Sequence, residues 1–210
     1  MRLSFDILKD GNILLFPTDT LYGLGVDATN PKAVLRLRSL KGRDDKKPIS
    51  IMVSDMAMAE KYAVVTPLAR KLADKFFPGA LTLVLFRRKF PRGNFRLQDV
   101  GEQHKNVLAD EIGAGTGTVG IRIPDHPTAL QLVREFGKPI TATSANVADM
   151  PPARSPEKIL AQFGKRADLI YQIINAGELP ESLPSTVVDA RSKVPVVLRS
   201  GVIADGEIIN

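Results

Sequence analysis

Short apolar runs alternate along the chain with longer stretches in which apolar positions recur at a helical spacing. The short runs predict buried strands, and the helical spacing predicts amphipathic helices. The predicted strands are 12–16, 24–28, 49–53, 80–86, 118–123, 139–143, 169–174, 185–190 and 194–199. The predicted helices are 31–41, 55–63, 67–76, 127–136 and 156–163. Because the two kinds of element alternate over the whole length, the pattern predicts an α/β fold with helices flanking the sheet.

Several predicted helices carry their own end signals. Thr66 and Ser155 each precede a proline. A hydroxyl N-cap followed by proline is a favoured helix start, because the first helical position makes no use of an N–H. Gly137 is the predicted end of the helix that begins near Pro127, since glycine readily adopts the left-handed conformation of a C-cap.

Connection lengths add to this outline. Residues 191–193 alone separate the last two predicted strands, and so short a connection predicts an antiparallel hairpin within a mixed sheet. Residues 88–117 hold charges at one end and glycines at the other with little periodicity, which predicts a mobile loop. No shift in composition divides the chain, so 1–210 is predicted to form a single domain.

Composition narrows the chemistry. Hydrophobic residues make up 44% and charged residues 25% of the 210 residues, as in ordinary globular proteins. The chain has no cysteine, which excludes disulfides, thiolate nucleophiles and cysteine-ligated zinc and suits a reducing compartment. No signal-peptide pattern follows Met1, and the apolar runs are too short to span a bilayer. The prediction is a cytoplasmic protein without a membrane segment.

The net charge of +6 allows two interpretations. A positive surface attracts anions such as nucleotides, phosphates or RNA. However, the sequence has no dense basic tract, and a solvated surface with a small excess of lysine explains the charge equally well. Charge alone therefore does not establish nucleic-acid binding.

Common nucleotide and metal motifs do not fit. Residues 23–28 match a dinucleotide fingerprint by spacing, but they read as a strand rather than the start of a helix. A Walker A sequence is absent, and Ser144 lacks the flanking glycines of a nucleophile elbow. His104 and His126 lack metal-ligand spacing.

Two groups of polar residues follow predicted elements. Lys41 and Arg43 stand at the exit of a helix, where they could bind phosphates or simply stabilise the helix dipole. Ser144 and Asn146 follow a strand, where they could bind a ligand beyond the strand end or form a hydroxyl turn. Arg122 interrupts an apolar strand; it either points to solvent or points inward and needs an anionic partner.

Seven segments in order carry a family resemblance. They are 16–25, 41–43, 78–84, 118–124, 144–146, 185–189 and 198–201. Through them the chain, over roughly 10–203, resembles the YrdC-like threonylcarbamoyl-AMP synthase family in its single-domain form. The resemblance implies an α/β domain with a twisted mixed sheet and a positively charged concave face. It also implies a nucleotidyltransferase that condenses L-threonine, bicarbonate and ATP to threonylcarbamoyl-AMP and pyrophosphate, for modification of tRNA adenosine.

The resemblance assigns roles to individual residues. The implied ATP-binding residues are Lys41, Arg43, Thr118, Ser144, Asn146 and Arg199, of which Lys41, Arg43, Ser144 and Asn146 would also be catalytic. The implied threonine-binding residues are Thr18, Arg122, Ala142 and Ser185. Arg122 would hold the threonine carboxylate, because a planar guanidinium matches that geometry bidentately. Mg²⁺ is implied together with ATP, and tRNA, double-stranded RNA and proteins of the tRNA-modification pathway are implied candidate partners.

Three departures from the family pattern affect details. Asp44 follows Arg43 where many relatives have proline, and Val147 to Asp149 replace a Ser-Gly pattern after Asn146. Residues 49–53, around Met52, lack a histidine that helps some relatives bind threonine.

The alternative to the enzyme is a non-catalytic RNA-binding module on the same fold.

Overall fold

The computed structural model describes residues 6–42, 44, 46–88 and 107–209. Its helices are α1 (Asp6–Lys9), α2 (Pro31–Lys41), α3 (Met56–Tyr62), α4 (Pro67–Phe76), α5 (Asp110–Gly113), α6 (Pro127–Phe136), α7 (Pro156–Phe163) and α8 (Asp205–Ile209), and a 3-10 helix, Gly164–Leu169, follows α7. Its strands are β1 (Ile13–Phe16), β2 (Gly23–Gly25), β3 (Ile51–Met52), β4 (Ala63–Val64), β5 (Leu81–Arg87), β6 (Thr118–Arg122), β7 (Ile140–Thr141), β8 (Thr143–Ser144), β9 (Ile170–Ile173), β10 (Thr186–Asp189) and β11 (Val196–Arg199).

The described strands form two mixed sheets rather than one. The smaller sheet has the order β8-β2-β1-β9, and the larger has the order β11-β10-β5-β6-β3-β7 with β4 paired to β5. Strands β10 and β11 pair antiparallel, which confirms the predicted hairpin, and β10 pairs parallel with β5. The α/β class and the mixed pairing are thus confirmed, whereas the number of sheets was not foreseen.

The chain passes from one sheet to the other at Ala142. The predicted strand 139–143 is divided there, since β7 pairs with β3 of the larger sheet and β8 pairs with β2 of the smaller one. The Ala142 backbone N–H donates to the Ser50 carbonyl at 2.7 Å. This crossing brings the two sheets side by side, and their junction positions the site described below.

Helix ends follow the predicted chemistry. The Thr66 hydroxyl accepts from the Ala69 N–H, and the Ser155 hydroxyl accepts from the Lys158 N–H. Gly137 closes α6 in the left-handed conformation, with φ of 72°. Residues 23–25 form strand β2, which confirms that they are not a dinucleotide-binding helix start.

The segment predicted as a loop over 88–117 is only partly described. Residues 89–106 lie outside the described residues. Beyond them the structure places the short helix α5, and Leu108, Ala109 and Ile112 are buried in the core. Helix α5 begins at Asp110, so Ile112 is buried from within the helix and Leu108 from the segment just before it. The mobility of 89–106 stays a prediction.

Apolar contacts hold the two sheets and the helices together. Strand β1 is buried on both faces: Ile13 and Leu15 pack into the larger apolar cluster, and Leu14 and Phe16 into a second cluster with α6. This burial explains the continuous apolar run in the sequence. None of the helices in the described ranges is long and apolar enough to cross a membrane.

Candidate active site

A cavity of about 800 Å³, including the part open to solvent, lies at the junction of the two sheets. Its lining residues are Phe16, Thr18, Thr20, Leu21, Tyr22, Gly23, Pro48, Ile49, Ser50, Met52, Thr82, Arg122, Ala142, Thr143, Ser144, Pro184, Ser185, Val187 and Arg199. Strands of both sheets contribute to this lining. Among the described residues it contains two arginines and no Asp or Glu, so the cavity suits an anionic ligand.

The structure gathers most of the predicted site residues. Those that line the cavity are Thr18, Arg122, Ala142, Ser144, Ser185 and Arg199. Lys41 and Asn146 adjoin it through Ser144. Thr118 stands at the opposite end of β6 from Arg122 and bonds to Thr116 at 2.7 Å, outside the lining. Arg43 lies outside the described residues. The roles predicted for these residues stay predictions.

Arg122 points inward from the end of β6 and is only 8% exposed. Its Nη2 donates to Asp19 Oδ1 at 2.7 Å and to Thr20 Oγ1 at 3.0 Å. Burial lowers the pKa of the guanidinium, and the Asp19 carboxylate opposes this effect. The buried Nε has no hydrogen-bond partner. Arg122 is therefore the inward arginine that needs an anionic partner, and Asp19 supplies one.

The engaged Nη2 constrains how a ligand can bind Arg122. Each terminal guanidinium nitrogen carries two N–H groups, and both bidentate edges of the guanidinium include Nη2. Asp19 and Thr20 occupy Nη2, whereas Nη1 makes no hydrogen bond within the described part of the chain. A carboxylate therefore meets Nη1 first, and bidentate binding would require it to share Nη2 with Asp19 or Thr20.

Ser185 and Thr82 lie between the two arginines of the lining. Arg199 Nη2 donates to the Ser185 carbonyl at 2.8 Å and to the Ser185 hydroxyl at 3.2 Å. The Thr82 and Ser185 hydroxyls are 2.9 Å apart and buried. Burial, followed by the nearby charge of Arg122, lowers the pKa of Arg199. We call Arg122, Arg199, Thr82 and Ser185 the arginine end of the cavity.

Gly201 allows the backbone after β11 to lie against Ser185. A Cβ at this position would stand 2.2 Å from the Pro184 carbonyl oxygen and 2.7 Å from the Ser185 carbonyl carbon. No L side chain fits such an approach without moving the backbone. The glycine in the 198–201 segment therefore helps to hold Ser185 in the cavity wall.

Lys41, Ser144 and Asn146 form a second polar group, the lysine corner. Lys41 is the last residue of α2 and is 2% exposed. Its ammonium donates to the Ser144 carbonyl, to the Asn146 carbonyl at 2.7 Å and to Asn146 Oδ1 at 3.4 Å. The Asn146 amide nitrogen donates to the Val147 and Met150 carbonyls. Lys41 thus ties the end of α2 to a turn that also borders the cavity.

Thr18 shapes the turn after β1. Its hydroxyl accepts from the N–H groups of Thr20 and Leu21 and donates to the Leu21 carbonyl at 2.7 Å. This arrangement is a hydroxyl-stabilised turn. It places Thr18 and Thr20 in the cavity wall and brings Asp19 to Arg122.

Asp19, Thr20, Ser50 and Thr82 are site residues that the sequence prediction missed. A signal existed for Thr82, which is a hydroxyl within the apolar run 80–86, just as Arg122 is a charge within an apolar strand. Asp19 and Thr20 lie in the 16–25 segment, but only the folded turn brings them to Arg122. Met52 lines the cavity in the region where the departure from the family pattern was noted.

Comparisons with known proteins agree with one another. The family model Sua5_yciO_yrdC, described as "Telomere recombination", matches residues 6–201. The threonylcarbamoyl-AMP synthase of Bacillus subtilis (strain 168) is 34% identical over 203 residues, covering 96% of this chain and 53% of the relative. The putative threonylcarbamoyl-AMP synthase of Methanocaldococcus jannaschii is 36% identical over 197 residues, covering 93% of this chain and 83% of the relative.

A solved structure extends the similarity to the fold. P. abyssi Sua5, solved as a complex with L-threonine, matches with a TM-score of 0.84 and 33% identity over 99% of this chain and 55% of that chain. The chain spans about half the length of the B. subtilis and P. abyssi proteins. The similarity therefore covers nearly all of this chain but only part of those two relatives.

Proposed function

Because this chain belongs to the Sua5/YciO/YrdC family, whose model matches residues 6–201, we propose that it is an L-threonylcarbamoyladenylate synthase. The proposed reaction condenses L-threonine, bicarbonate and ATP to threonylcarbamoyl-AMP and pyrophosphate. The observation that carries the proposal is the cavity, in which two arginines and several hydroxyls face the same space. Guanidinium and hydroxyl donors recognise carboxylates and phosphates.

The arginine end is the proposed threonine site. Nη1 of Arg122 is the open donor for the substrate carboxylate, and Ser185 and Thr18 contribute hydroxyls. The backbone at Ala142 completes the site where the chain crosses between the sheets. The bound L-threonine of P. abyssi Sua5 supports the choice of amino acid.

The lysine corner is the proposed nucleotide site, together with Arg199, which it shares with the arginine end. Lys41 holds Ser144 and Asn146 in place, and Ser144 lines the cavity. Arg43 is proposed to hold the ATP phosphates together with Lys41, and Thr118 is proposed to complete the nucleotide site. The reaction requires the carbamate oxygen to approach the α-phosphorus in line with the departing pyrophosphate. Positioning and charge neutralisation supply most of the catalysis in such phosphoryl chemistry.

Mg²⁺ enters this proposal as part of the substrate MgATP. Among the described residues no group of three or more His, Cys, Asp or Glu side chains could hold a metal ion. Mg²⁺ commonly binds through substrate phosphates with few protein ligands. This donor set therefore fits a metal carried by the triphosphate.

The same proposal includes a location in the cytoplasm, where threonylcarbamoyl-AMP would be used to modify tRNA with the help of partner proteins. The alternative is a non-catalytic RNA-binding module, which the net charge of +6 permits. The concave cavity with its polar side chains favours small substrates instead. RNA binding by the same protein would show as an affinity that falls steeply with salt.

Pyrophosphate release by the purified chain tests the proposal. With MgATP, L-threonine and bicarbonate, we expect threonine-dependent release together with threonylcarbamoyl-AMP, identified by mass spectrometry. Omission of bicarbonate should abolish it, because no carbamate could form. Serine should be only moderately poorer than threonine, since one methyl group is worth about 1–3 kcal/mol.

Two outcomes would contradict the proposal. Release at an unchanged rate in degassed, bicarbonate-free buffer would indicate ATP hydrolysis or an ordinary aminoacyl adenylate. Salt-dependent binding of double-stranded RNA without any binding of ATP would favour the RNA-binding module.

A further inference from the structure

Two buried hydroxyls face each other at the arginine end. Thr82 on β5 is 3% exposed, and Ser185, just before β10, is 5% exposed. Their oxygen atoms are 2.9 Å apart, and both residues line the cavity. Arg199 Nη2 lies 3.2 Å from the Ser185 oxygen. These contacts form a small hydrogen-bond network of two hydroxyls and one guanidinium.

The network has one proton too many for its acceptors. Each hydroxyl carries one proton, and the bond between the two oxygens uses only one of them. The Arg199 guanidinium has no acceptor, so it can only donate to Ser185. Neither hydroxyl has another side-chain acceptor within the described residues. One hydroxyl proton therefore needs an acceptor from within the cavity.

Two arrangements of the hydroxyl protons are compatible with Arg199 as a donor to Ser185. The Ser185 oxygen has two lone pairs, of which Arg199 engages one. If Thr82 donates to the other, the Ser185 proton has to point into the cavity. If Ser185 donates to Thr82, the Thr82 proton is left over instead. In both cases the pair presents a single O–H donor to the space shared by Arg122 and Arg199.

The surroundings define what would accept this proton. Nη1 of Arg122 makes no hydrogen bond within the described ranges, and the charge of Arg122 acts on Arg199. Asp19 pairs with Arg122 through Nη2, but the described lining supplies no Asp or Glu for Arg199. An oxyanion that accepts from a guanidinium and a hydroxyl together would satisfy all these donors. A planar carboxylate group has the required acceptors.

We propose that Thr82 is a positioning residue that fixes the hydroxyl proton of Ser185 toward a carboxylate-type oxyanion bound between Arg122 and Arg199. The inference rests on the proposed function and assigns a role to a residue outside the predicted site. The oxyanion is either the carboxylate of the amino acid or the carboxylate that bicarbonate contributes to the carbamate. Both have the same planar group, and the experiment separates them.

Substitution of Thr82 by valine removes the hydroxyl and keeps the branched shape. We expect Thr82→Val to raise the KM for the substrate that supplies the oxyanion about 10-fold, because a hydrogen bond to a charged group is lost. The kcat should stay within about twofold of the wild-type value. The KM of MgATP should stay unchanged. A rise confined to L-threonine identifies the amino-acid carboxylate, and a rise confined to bicarbonate identifies the carbamate carboxylate.

Three further variants separate positioning from packing. Thr82→Ser should restore the wild-type KM, because it keeps the hydroxyl. In a Ser185→Ala background, Thr82→Val should have no further effect, since Thr82 acts through Ser185. Thr141→Val is the matched control: Thr141 is also buried, but its hydroxyl bonds the backbone of Leu24 and Val26 outside the lining, so it should leave the KM values unchanged.

Titration with L-threonine and with bicarbonate, without ATP, keeps this inference separate from the proposed function. If the wild-type protein binds either ligand but releases no pyrophosphate, the proposed function fails and the effect of Thr82→Val on binding still decides the inference. Unchanged affinity for both ligands in Thr82→Val, an equal loss in Thr141→Val, or no rescue by Thr82→Ser would overturn it. So would a wild-type protein that binds neither ligand.

Discussion

The arginine end and the lysine corner are both built around a buried cation, but their hydrogen bonds differ. Lys41 donates to three oxygen atoms of Ser144 and Asn146. Arg122 uses only Nη2, on Asp19 and Thr20, and its Nε is buried without a partner. The lysine thus binds its own protein, whereas the arginine has donors without a partner in the described part of the chain.

This difference shows that burial and charge do not by themselves identify a ligand contact. A lysine has three N–H donors, and protein oxygens at the corner can occupy all of them. The rigid guanidinium of arginine has five donors, and a single carboxylate satisfies only part of them. The sequence assigned both residues to ligand binding, but the structure adds a structural role for Lys41.

The largest expected effect is on threonine binding when Arg122 is changed to lysine. Lysine keeps the charge but cannot hold Asp19, Thr20 and a ligand carboxylate with one planar group. We expect the affinity for L-threonine to fall about 100-fold, the order of a lost charge-assisted hydrogen-bond pair, with MgATP affinity nearly unchanged. Calorimetric titration with each substrate measures both.

Arg191→Lys is the control for this prediction. Arg191 forms a similar pair with Asp189, at 2.6 Å, outside the cavity lining. The Arg191→Lys variant should leave the affinity for L-threonine unchanged. If Arg122→Lys kept the wild-type affinity for L-threonine, the proposed contrast between a ligand-binding arginine end and a structural lysine corner would be wrong.

A smaller effect is expected at Gly201, which supports the arginine end through the backbone. In Gly201→Ala the new Cβ would collide with Pro184 and Ser185, so the segment has to shift. We expect threonine affinity to fall about 10-fold and the free energy of unfolding to fall by about 1–3 kcal/mol. Titration and urea unfolding provide the two measurements.

Gly206→Ala is the matched glycine control. No atom lies within 4 Å of a Cβ added at Gly206, which is in helix α8. Alanine should therefore keep threonine affinity and raise the free energy of unfolding by up to about 1 kcal/mol. Equal behaviour of the two alanine variants would show that the close approach of Gly201 to Ser185 is unimportant.

The smallest effect on ligand binding is expected at Lys41. Lys41→Met keeps the apolar stem and removes the donors that hold Ser144 and Asn146. We expect the free energy of unfolding to fall by about 1–3 kcal/mol and MgATP affinity to fall about fivefold, while threonine affinity is kept. Lower stability with unchanged MgATP affinity would limit Lys41 to its structural role.

The sequence predicted several elements closely because their signals are local. The predicted helices 67–76 and 127–136 coincide with α4 and α6. Proline, glycine and hydroxyl residues act on the backbone beside them, so their effects can be read without the fold. The division of 139–143 at Ala142 has no such signal, because pairing partners far along the chain decide it.

By itself, the sequence determined the α/β class, the caps of several helices, the hairpin of β10 and β11, and six of the nineteen residues that line the cavity. The tertiary structure alone decided that two sheets meet at Ala142, that Asp19 holds Arg122, and that Thr82 faces Ser185. Periodicity and capping depend on neighbours within a few residues. Hydrogen bonds between strands depend on register and packing over more than 100 positions, which no local pattern contains.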